Sequence, residues 1–287
     1  MRTAVVTDTN SGIMPEEAKR LGVFSIPMPI IIDEEVRLEG VNLTNEDFFA
    51  SQIGGREVSS SMPSPGDVMD TWDEVLKEYD QLVYIPMSSG LSASCVTAAG
   101  LAEDYDGRVE VIDNHRISVT LRIAVQEAKK LADDGKSAAE IKEYIEKTAY
   151  DSSIYIACDT LQYLKKGGRV TPAGAAIATA LNLKPVLTIQ GGKLDAFAKV
   201  RGMKKARDRM VEAMVKDRTD RFGAYDDSCI RVGCAGSNLT EAEAREWTDQ
   251  MQEAFPGIDV YYDPLGLSID VHIGPGGYGC GISVTKL

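Results

Sequence analysis

The stretch Leu82-Val-Tyr-Ile-Pro86 is followed directly by Met87-Ser-Ser-Gly-Leu-Ser92, and helical periodicity then continues through Ala98–Glu103. The uninterrupted apolar run predicts a strand buried on both faces, and the serine-rich turn and helix after it predict one half of a β-α-β unit. Parallel sheets bind ligands beyond the carboxyl ends of their strands. The stretch therefore predicts an α/β fold and places hydroxyl groups where a ligand of such a fold would bind.

Short β-branched runs alternate with longer amphipathic stretches in both directions from this point. Further strands are predicted at Thr3–Thr7, Phe24–Ile32, Val109–Ile112, Ile154–Cys158, Pro185–Ile189, Leu194–Val200, Cys229–Cys234, Ile258–Tyr261, Ile269–His272 and Gly281–Thr285. Further helices are predicted at Pro15–Leu21, Thr44–Ala50, Pro65–Tyr79, Arg116–Leu131, Ala138–Thr148, Thr160–Lys165, Ala173–Asn182, Lys204–Asp217 and Glu241–Phe255. Gly191-Gly192 predicts a hairpin turn, whereas Val58–Ser64 is predicted to be a polar loop.

The length of 287 residues predicts two domains of about 150 residues each. We place the boundary near Asp151, so that residues 1–150 form an α/β domain with a parallel sheet flanked by helices and residues 151–287 form a second α/β domain.

Composition restricts the classes of function. The chain has 31 basic and 44 acidic residues and a net charge of −13, which argues against binding to nucleic acid or permanent attachment to an anionic membrane. Its five cysteines are scattered without a C-x-x-C pair, so neither a disulfide framework nor a thiolate zinc site is indicated. Residues Met1–Thr7 carry no leader pattern and no stretch approaches about 18 apolar residues. We therefore expect a cytoplasmic protein without a bound metal.

Two glycine-containing segments resemble nucleotide-binding motifs but lack their context. Gly135-Lys-Ser137 resembles the end of a P-loop, yet Lys130 stands at the position of the first glycine. We interpret Gly135 as the end of a helix and Ser137–Glu140 as the capping box of the next one. Gly274–Gly279 matches G-x-G-x-x-G, but the chain ends after a strand, with no helix or later acidic residue. A nucleotide-binding enzyme is therefore the least favoured hypothesis.

A few polar residues are candidates for a site, each with a structural alternative. Ser92 could cap a helix, bind an anion or act as a nucleophile. Arg169 follows Gly167-Gly168 and could bind a ligand or form a surface ion pair. On a strand, Asp270 and His272 would share a face, which permits a hydrolase or transferase that uses Ser92 as its nucleophile.

Eight segments in order resemble the DegV family of bacterial fatty-acid-binding proteins, and together they cover nearly the whole chain. They are Val5-Val-Thr-Asp-Thr9, Ser60-Ser-Met-Pro-Ser-Pro65, Ser88-Ser-Gly-Leu-Ser-Ala-Ser94, Val111-Ile-Asp113, Leu161-x-x-Leu-Lys-Lys-Gly-Gly-Arg-Val170, Lys184-Pro-x-Leu187, Arg201-Gly-x-x-Lys-Ala206 and His272-Ile-Gly-Pro-Gly276. Ser60, Met62 and Ala93 stand where the family usually has Thr, Gln and Gly.

The resemblance implies a two-domain DegV-like architecture with a lipid between the domains. It implies that Ser60, Ser61 and Ser92 bind a fatty-acid carboxylate, and that Ser89, Arg169, Arg201 and His272 surround this head group. Ile154, Ile156, Cys158, Ile177 and Leu181 are the candidates to line the tail pocket.

The resemblance also implies a carrier rather than an enzyme. Its long-chain fatty acid would be phosphorylated by a separate ATP-dependent fatty acid kinase and would feed phospholipid synthesis. We expect a monomer that makes at most brief contact with a membrane and needs no cofactor.

Overall fold

The computed structural model describes residues 1–176 and 183–286. Its strands are β1 (Thr3–Asp8), β2 (Phe24–Ile26), β3 (Pro29–Ile32), β4 (Glu35–Leu38), β5 (Val58–Ser60), β6 (Gln81–Ile85), β7 (Val109–Val111), β8 (Ser152–Ala157), β9 (Leu183–Ile189), β10 (Asp195–Arg201), β11 (Ile230–Gly236), β12 (Val260–Tyr262) and β13 (Tyr278–Val284). Its α-helices are α1 (Pro15–Leu21), α2 (Asn45–Ile53), α3 (Pro65–Val75), α4 (Ser94–Ala102), α5 (Ser118–Asp133), α6 (Ala138–Lys147), α7 (Gln162–Gly167), α8 (Pro172–Ala176), α9 (Met203–Asp220), α10 (Glu241–Ala254) and α11 (Leu267–Ile273).

The first sheet has the order β2-β1-β6-β7, and all of its pairings are parallel. β1 and β6 are buried along their whole length, as expected for central strands covered by helices on both faces. α3 and α4 cover one face around Trp72 and Cys95, while α5 and α6 cover the other face around Leu121 and Ile141. The predicted α/β class and the parallel sheet are confirmed.

The predicted strand Phe24–Ile32 is in fact two strands in two sheets. β2 is an edge strand of the parallel sheet, and β3 is the centre of an antiparallel sheet of order β4-β3-β5. Pro27 and Pro29 have no N–H for a sheet ladder, so the chain changes direction between them. The predicted polar loop is also partly wrong, because Val58–Ser60 forms β5 and pairs with β3.

The second half of the chain forms a six-stranded sheet of order β10-β9-β8-β13-β11-β12, in which only the pair of β11 and β12 is parallel. The turn at Gly191-Gly192 joins β9 to β10 as predicted, and Gly191 has φ = +83°. α9 and α10 cover one face around Met210 and Trp247. The domain boundary near Asp151 stays a prediction.

α5 lies between the two large sheets and contacts β1 on one side and β11 and β13 on the other. This close packing requires glycine in the second sheet. A Cβ atom on Gly281 would lie 2.7 Å from Thr120 Cγ2 and 2.9 Å from Val119 Cγ2. A Cβ atom on Gly233 would lie 2.8 Å from Val119 Cβ. The N-terminal turn of α5 is therefore held directly against the sheet.

The predicted strand Ile269–His272 is wrong, because these residues belong to helix α11. Leu267 and Val271, four residues apart, pack with the small antiparallel sheet and α2, whereas Ile269 and Ile273 pack into the core between the two large sheets. An apolar residue at every second position thus serves two faces of a buried helix, since i and i+4 share a face. The remaining predicted elements are present with shifted ends, but residues 177–182 of the predicted helix Ala173–Asn182 lie outside the described residues.

We predict that Gly281→Ala lowers the free energy of unfolding by about 1–3 kcal/mol, because the added methyl group overlaps Val119 and Thr120. Gly279→Ala on the same strand is the matched control, since its Cβ would approach Ala235 Cβ no closer than 3.4 Å. Urea denaturation of both variants would measure the difference. Equal losses in the two would show that α5 does not depend on this glycine.

Candidate ligand-binding site

A cavity lies between α5, the six-stranded sheet and α11. It contains about 850 Å³ of space free of protein atoms, including the part open to solvent at its mouth. Most of its lining is apolar: Met28, Met62, Met87, Leu91, Ile117, Val119, Ile154, Ile156, Leu164, Ile189, Leu194, Ala235, Leu265, Ile269 and Ile273. Its polar side chains are Ser60, Ser61, Ser92, Ser118, Tyr155, Arg169, Ser268 and His272, with Gly279 and Cys280 completing the wall.

Ser60 and His272 form a hydrogen-bonded pair in this wall. Ser60 ends β5, His272 lies on α11, and Ser60 Oγ is 3.2 Å from His272 Nε2. Burial, and secondarily the charge of Arg169, lower the pKa of His272 to about 4, so its imidazole is neutral at pH 7. Gly167 is required beside it, because a Cβ there would lie 2.2 Å from His272 Nδ1.

Ser92 belongs to the loop that follows β6. Its Oγ is 2.8 Å from Ser94 Oγ and accepts a hydrogen bond from the Ser94 N–H at 3.1 Å, so Ser92 links the loop to the start of α4. The loop also contacts the second half of the chain, since Ser88 Oγ donates to the Gly191 carbonyl at 2.8 Å. A Cβ on Gly90 would lie 2.4 Å from that same carbonyl oxygen. The hairpin turn therefore fixes the position of the loop.

The remaining predicted site residues fall into three groups: one in the lining, three outside it and two outside the described residues. Arg169 is exposed at the mouth, where its guanidinium donates to the Gly167 carbonyl. Arg201 ends β10 and Ser89 donates its N–H to Asp113 at 3.2 Å, and neither residue is part of the cavity lining. Cys158 is fully buried after β8, also outside the lining. Ile177 and Leu181 lie outside the described residues. The roles assigned to all these residues stay predictions.

Several lining residues were not predicted from the sequence. Met28 and Met87 come shortly after the carboxyl ends of β2 and β6, which is the edge where a parallel sheet binds ligands. That rule could have identified them. Ser118 and Ser268 have no comparable signal, because they enter the lining through the packing of α5 and α11 against other elements.

The N-terminal half of the chain holds α11 in place through buried polar contacts. The Leu267 N–H donates to Glu39, whose other carboxylate oxygen accepts from Thr9 Oγ1 at 2.6 Å. Ser268 Oγ donates to Asn10 Oδ1, and Gln52 Nε2 donates to the Asp270 carbonyl at 3.0 Å. Burial is the main cause that raises the pKa of Glu39 to about 7.

The arrangement predicted for a hydrolase is wrong in one respect. Because α11 is a helix, Asp270 and His272 point to different sides of it, rather than sharing a strand face. The Asp270 carboxyl is fully buried, with a pKa raised well above its ordinary value mainly by burial. The hydrogen bond of His272 Nε2 goes to Ser60 and not to the proposed nucleophile Ser92.

Across residues 1–176 and 183–286 there is no group of three or more His, Cys, Asp or Glu side chains that could hold a metal ion. The helices within those residues are also too short or too polar to span a bilayer. An apolar cavity with a few hydroxyls, an imidazole and a guanidinium in its wall is typical of a small-molecule site in which the polar groups fix the orientation of a mostly apolar ligand.

The family described as "Uncharacterised protein, DegV family" matches residues 2–285, so the chain belongs to the DegV family. A DegV domain-containing protein of Clostridium acetobutylicum is 30% identical over 292 residues, which cover 100% of this chain and 99% of the relative. A DegV family protein from Thermus thermophilus, described for its fatty acid binding, has a TM-score of 0.88 at 29% identity over 99% of this chain and 100% of that one. DegV of Bacillus subtilis, described as a fatty acid binding protein, has a TM-score of 0.86 at 25% identity over 99% and 100% of the two chains.

We predict a pH-dependent stability difference between the wild-type chain and Glu39→Gln. Because the pKa of Glu39 is higher in the folded chain than in the unfolded one, its contribution to the free energy of unfolding is fully present below about pH 4.5. This contribution is lost as the pH rises through about 7. Glutamine does not ionise. Between about pH 4.5 and pH 8, the free energy of unfolding of the variant should therefore rise by on the order of 2–3 kcal/mol relative to that of the wild type.

Unfolding free energies from urea titrations at a series of pH values would measure this difference. The exposed Glu253→Gln on α10 is the control, because it takes no charge out of the interior. A difference between wild type and Glu39→Gln that is constant with pH would contradict the prediction.

Proposed function

We propose that this protein binds a long-chain fatty acid, with the acyl tail in the cavity and the carboxylate among the polar groups of Ser60, Ser92 and His272. The observation that carries the proposal is the lining itself, which is apolar over most of its extent and includes hydroxyls, an imidazole and a guanidinium. The fatty-acid binding described for the relatives from Thermus thermophilus and Bacillus subtilis supports it.

The neutral state of His272 gives Ser60 a defined role in this proposal. We assign the tautomer with the proton on Nε2, in which the neutral imidazole donates to Ser60 Oγ and leaves the Ser60 hydroxyl hydrogen free for the ligand carboxylate. A charged ligand oxygen strengthens that hydrogen bond. His272 thus orients Ser60, and the exposed Arg169 supplies a positive charge at the mouth.

We further propose that the protein is a carrier without catalytic turnover of its own. It acts as a cytoplasmic monomer and presents the carboxylate to a separate ATP-dependent kinase, and the acyl phosphate enters phospholipid synthesis. The position of Arg169 supports this role, since an exposed guanidinium can pair with the additional charge of an acyl phosphate.

Filling part of the tail cavity should weaken fatty-acid binding. Ala235 lies in the apolar wall on β11, and Ala235→Leu adds three carbon atoms where the tail would lie. Displacing up to three methylenes at about 0.8 kcal/mol each should weaken octadecanoic acid binding by roughly 10- to 50-fold. Displacement of a fluorescent fatty acid from delipidated protein would measure it.

Ala196→Leu is the matched control, because Ala196 is exposed on β10 outside the cavity. Equal affinities in all three proteins would place the tail elsewhere, and absence of any fatty-acid binding by the wild type would overturn the proposal.

Removing a hydroxyl should affect presentation of the carboxylate more than binding of the tail. Ser92→Ala should weaken fatty-acid binding about fivefold, the effect of one hydrogen bond of about 1 kcal/mol, because the tail supplies most of the affinity. Phosphorylation of the bound acid by a fatty acid kinase should fall further, since it depends on the orientation of the carboxylate.

Ser59→Ala is the control for this experiment, because Ser59 lies on β5 beside Ser60 but is exposed and outside the lining. Binding and phosphorylation assays on the same preparations would separate the two effects. Equal losses of binding and phosphorylation in Ser92→Ala would contradict the separation of roles.

A further inference from the structure

Ser118 is a buried hydroxyl residue in the apolar wall of the cavity. It is the first residue of α5, it is 7% exposed, and its neighbours Ile117 and Val119 also line the cavity. Within residues 1–176 and 183–286 its Oγ makes no hydrogen bond, whereas Thr120, two residues later, donates to the Ile117 carbonyl at 3.0 Å. The Ser118 hydroxyl is therefore available to a molecule in the cavity.

Ser118 is carried by a different part of the fold from the proposed carboxylate site. Ser60 and Ser92 lie on β5 and on the loop after β6, whereas Ser118 begins the helix that packs between the two large sheets. A second hydroxyl in the lining, Ser268 on α11, donates to Asn10 and so offers its oxygen only as an acceptor. Besides Ser60, Ser92 and His272, the described part of the lining thus contains one buried hydroxyl without a hydrogen bond and one hydroxyl oxygen that can accept.

A plain hydrocarbon chain leaves the Ser118 hydroxyl without a partner, which is unfavourable for a buried polar group. An oxygen substituent on the chain gives the Ser118 hydroxyl a hydrogen-bond partner. A keto oxygen accepts the Ser118 hydrogen, and a hydroxyl group accepts it and can donate in turn. Either substituent exchanges its hydrogen bond to water for one to the protein.

We propose that Ser118 is a subsite for an oxygen substituent within the acyl chain, so that the protein accepts hydroxy or oxo fatty acids in addition to plain ones. The inference rests on the proposed fatty-acid binding and names the chemical class of the ligand more closely.

The test compares octadecanoic acid with a series of monohydroxy octadecanoic acids that differ only in the position of the hydroxyl group. Each acid displaces a fluorescent fatty acid from delipidated wild type, Ser118→Ala and Ser118→Gly. Ser118 has φ = +53°, a backbone conformation that glycine adopts readily, so the glycine variant removes the hydroxyl without backbone strain.

For at least one isomer, the ratio of its Kd to that of octadecanoic acid should rise about tenfold in both variants, equivalent to about 1.4 kcal/mol. Thr120→Val is the matched control, because Thr120 is buried on the same helix turn but is not part of the lining, and the ratio should not change in it.

If the ratio of Kd values is the same in the wild type and both variants for every isomer, the inference is overturned. The Ser118 hydroxyl would then hydrogen-bond only to water. Octadecanoic acid would still bind in that case, so the proposed function would stand. Failure of the wild type to bind octadecanoic acid would instead overturn the proposed function.

Discussion

The cavity depends on the attachment of one short helix, α11, to a part of the chain more than two hundred residues away. Glu39 accepts from the N–H of Leu267, at the start of the helix, and Gln52 donates to the carbonyl of Asp270. Ser60 holds the imidazole of His272 near its end. Each bond joins the second half of the chain to the first, so the wall that α11 forms exists only when the two halves are together.

These contacts bury carboxyl groups whose ionisation is costly in an apolar interior. The pKa of Glu39 is raised to about 7 and that of Asp8, which holds Asn10 beside Ser268, to about 6, mainly because of burial. The nearby Asp8 carboxylate raises the pKa of Glu39 further. Buried, hydrogen-bonded acids thus add to the hydrophobic contacts of Leu267 and Val271 at the join between the halves, which makes the join specific in geometry but sensitive to pH.

Much of the fold was predictable because the main signals are local. The continuous apolar run of β6 and the capping box of Ser137 and Glu140 gave the correct parallel strand and helix start. The segment Ile269–His272 is predicted as a strand because its alternation of apolar and polar residues matches a period of two. The segment is a helix because distant parts of the chain provide an apolar surface on each of two sides of it, the core between the large sheets and the core under the small antiparallel sheet. These surfaces cannot be read from the local sequence pattern.

Some residues of the candidate site can likewise be identified from the sequence, whereas others are brought together only by packing. Ser92 follows a strand end and was identified by rule, and Ser60 and His272 were identified from the family pattern, but the bond between Ser60 and His272 could not be foreseen while His272 was placed on a strand. For Arg201 the pattern predicts a head-group contact, and this stays a prediction because the residue ends β10 outside the cavity lining. Residues such as Ser118 and Ser268 become neighbours of the cavity only through the packing of whole helices.

The energetics of a fatty acid in this cavity assign different tasks to the polar groups and the wall. About 14 methylenes at about 0.8 kcal/mol each offer roughly 11 kcal/mol of gross burial, whereas each hydroxyl hydrogen bond contributes about 1 kcal/mol. The groups that bind the carboxylate therefore fix orientation and contribute little to affinity. Discrimination between acyl chains must then come from the shape and polarity of the wall, where a single hydroxyl such as that of Ser118 distinguishes chains that the carboxylate site treats alike.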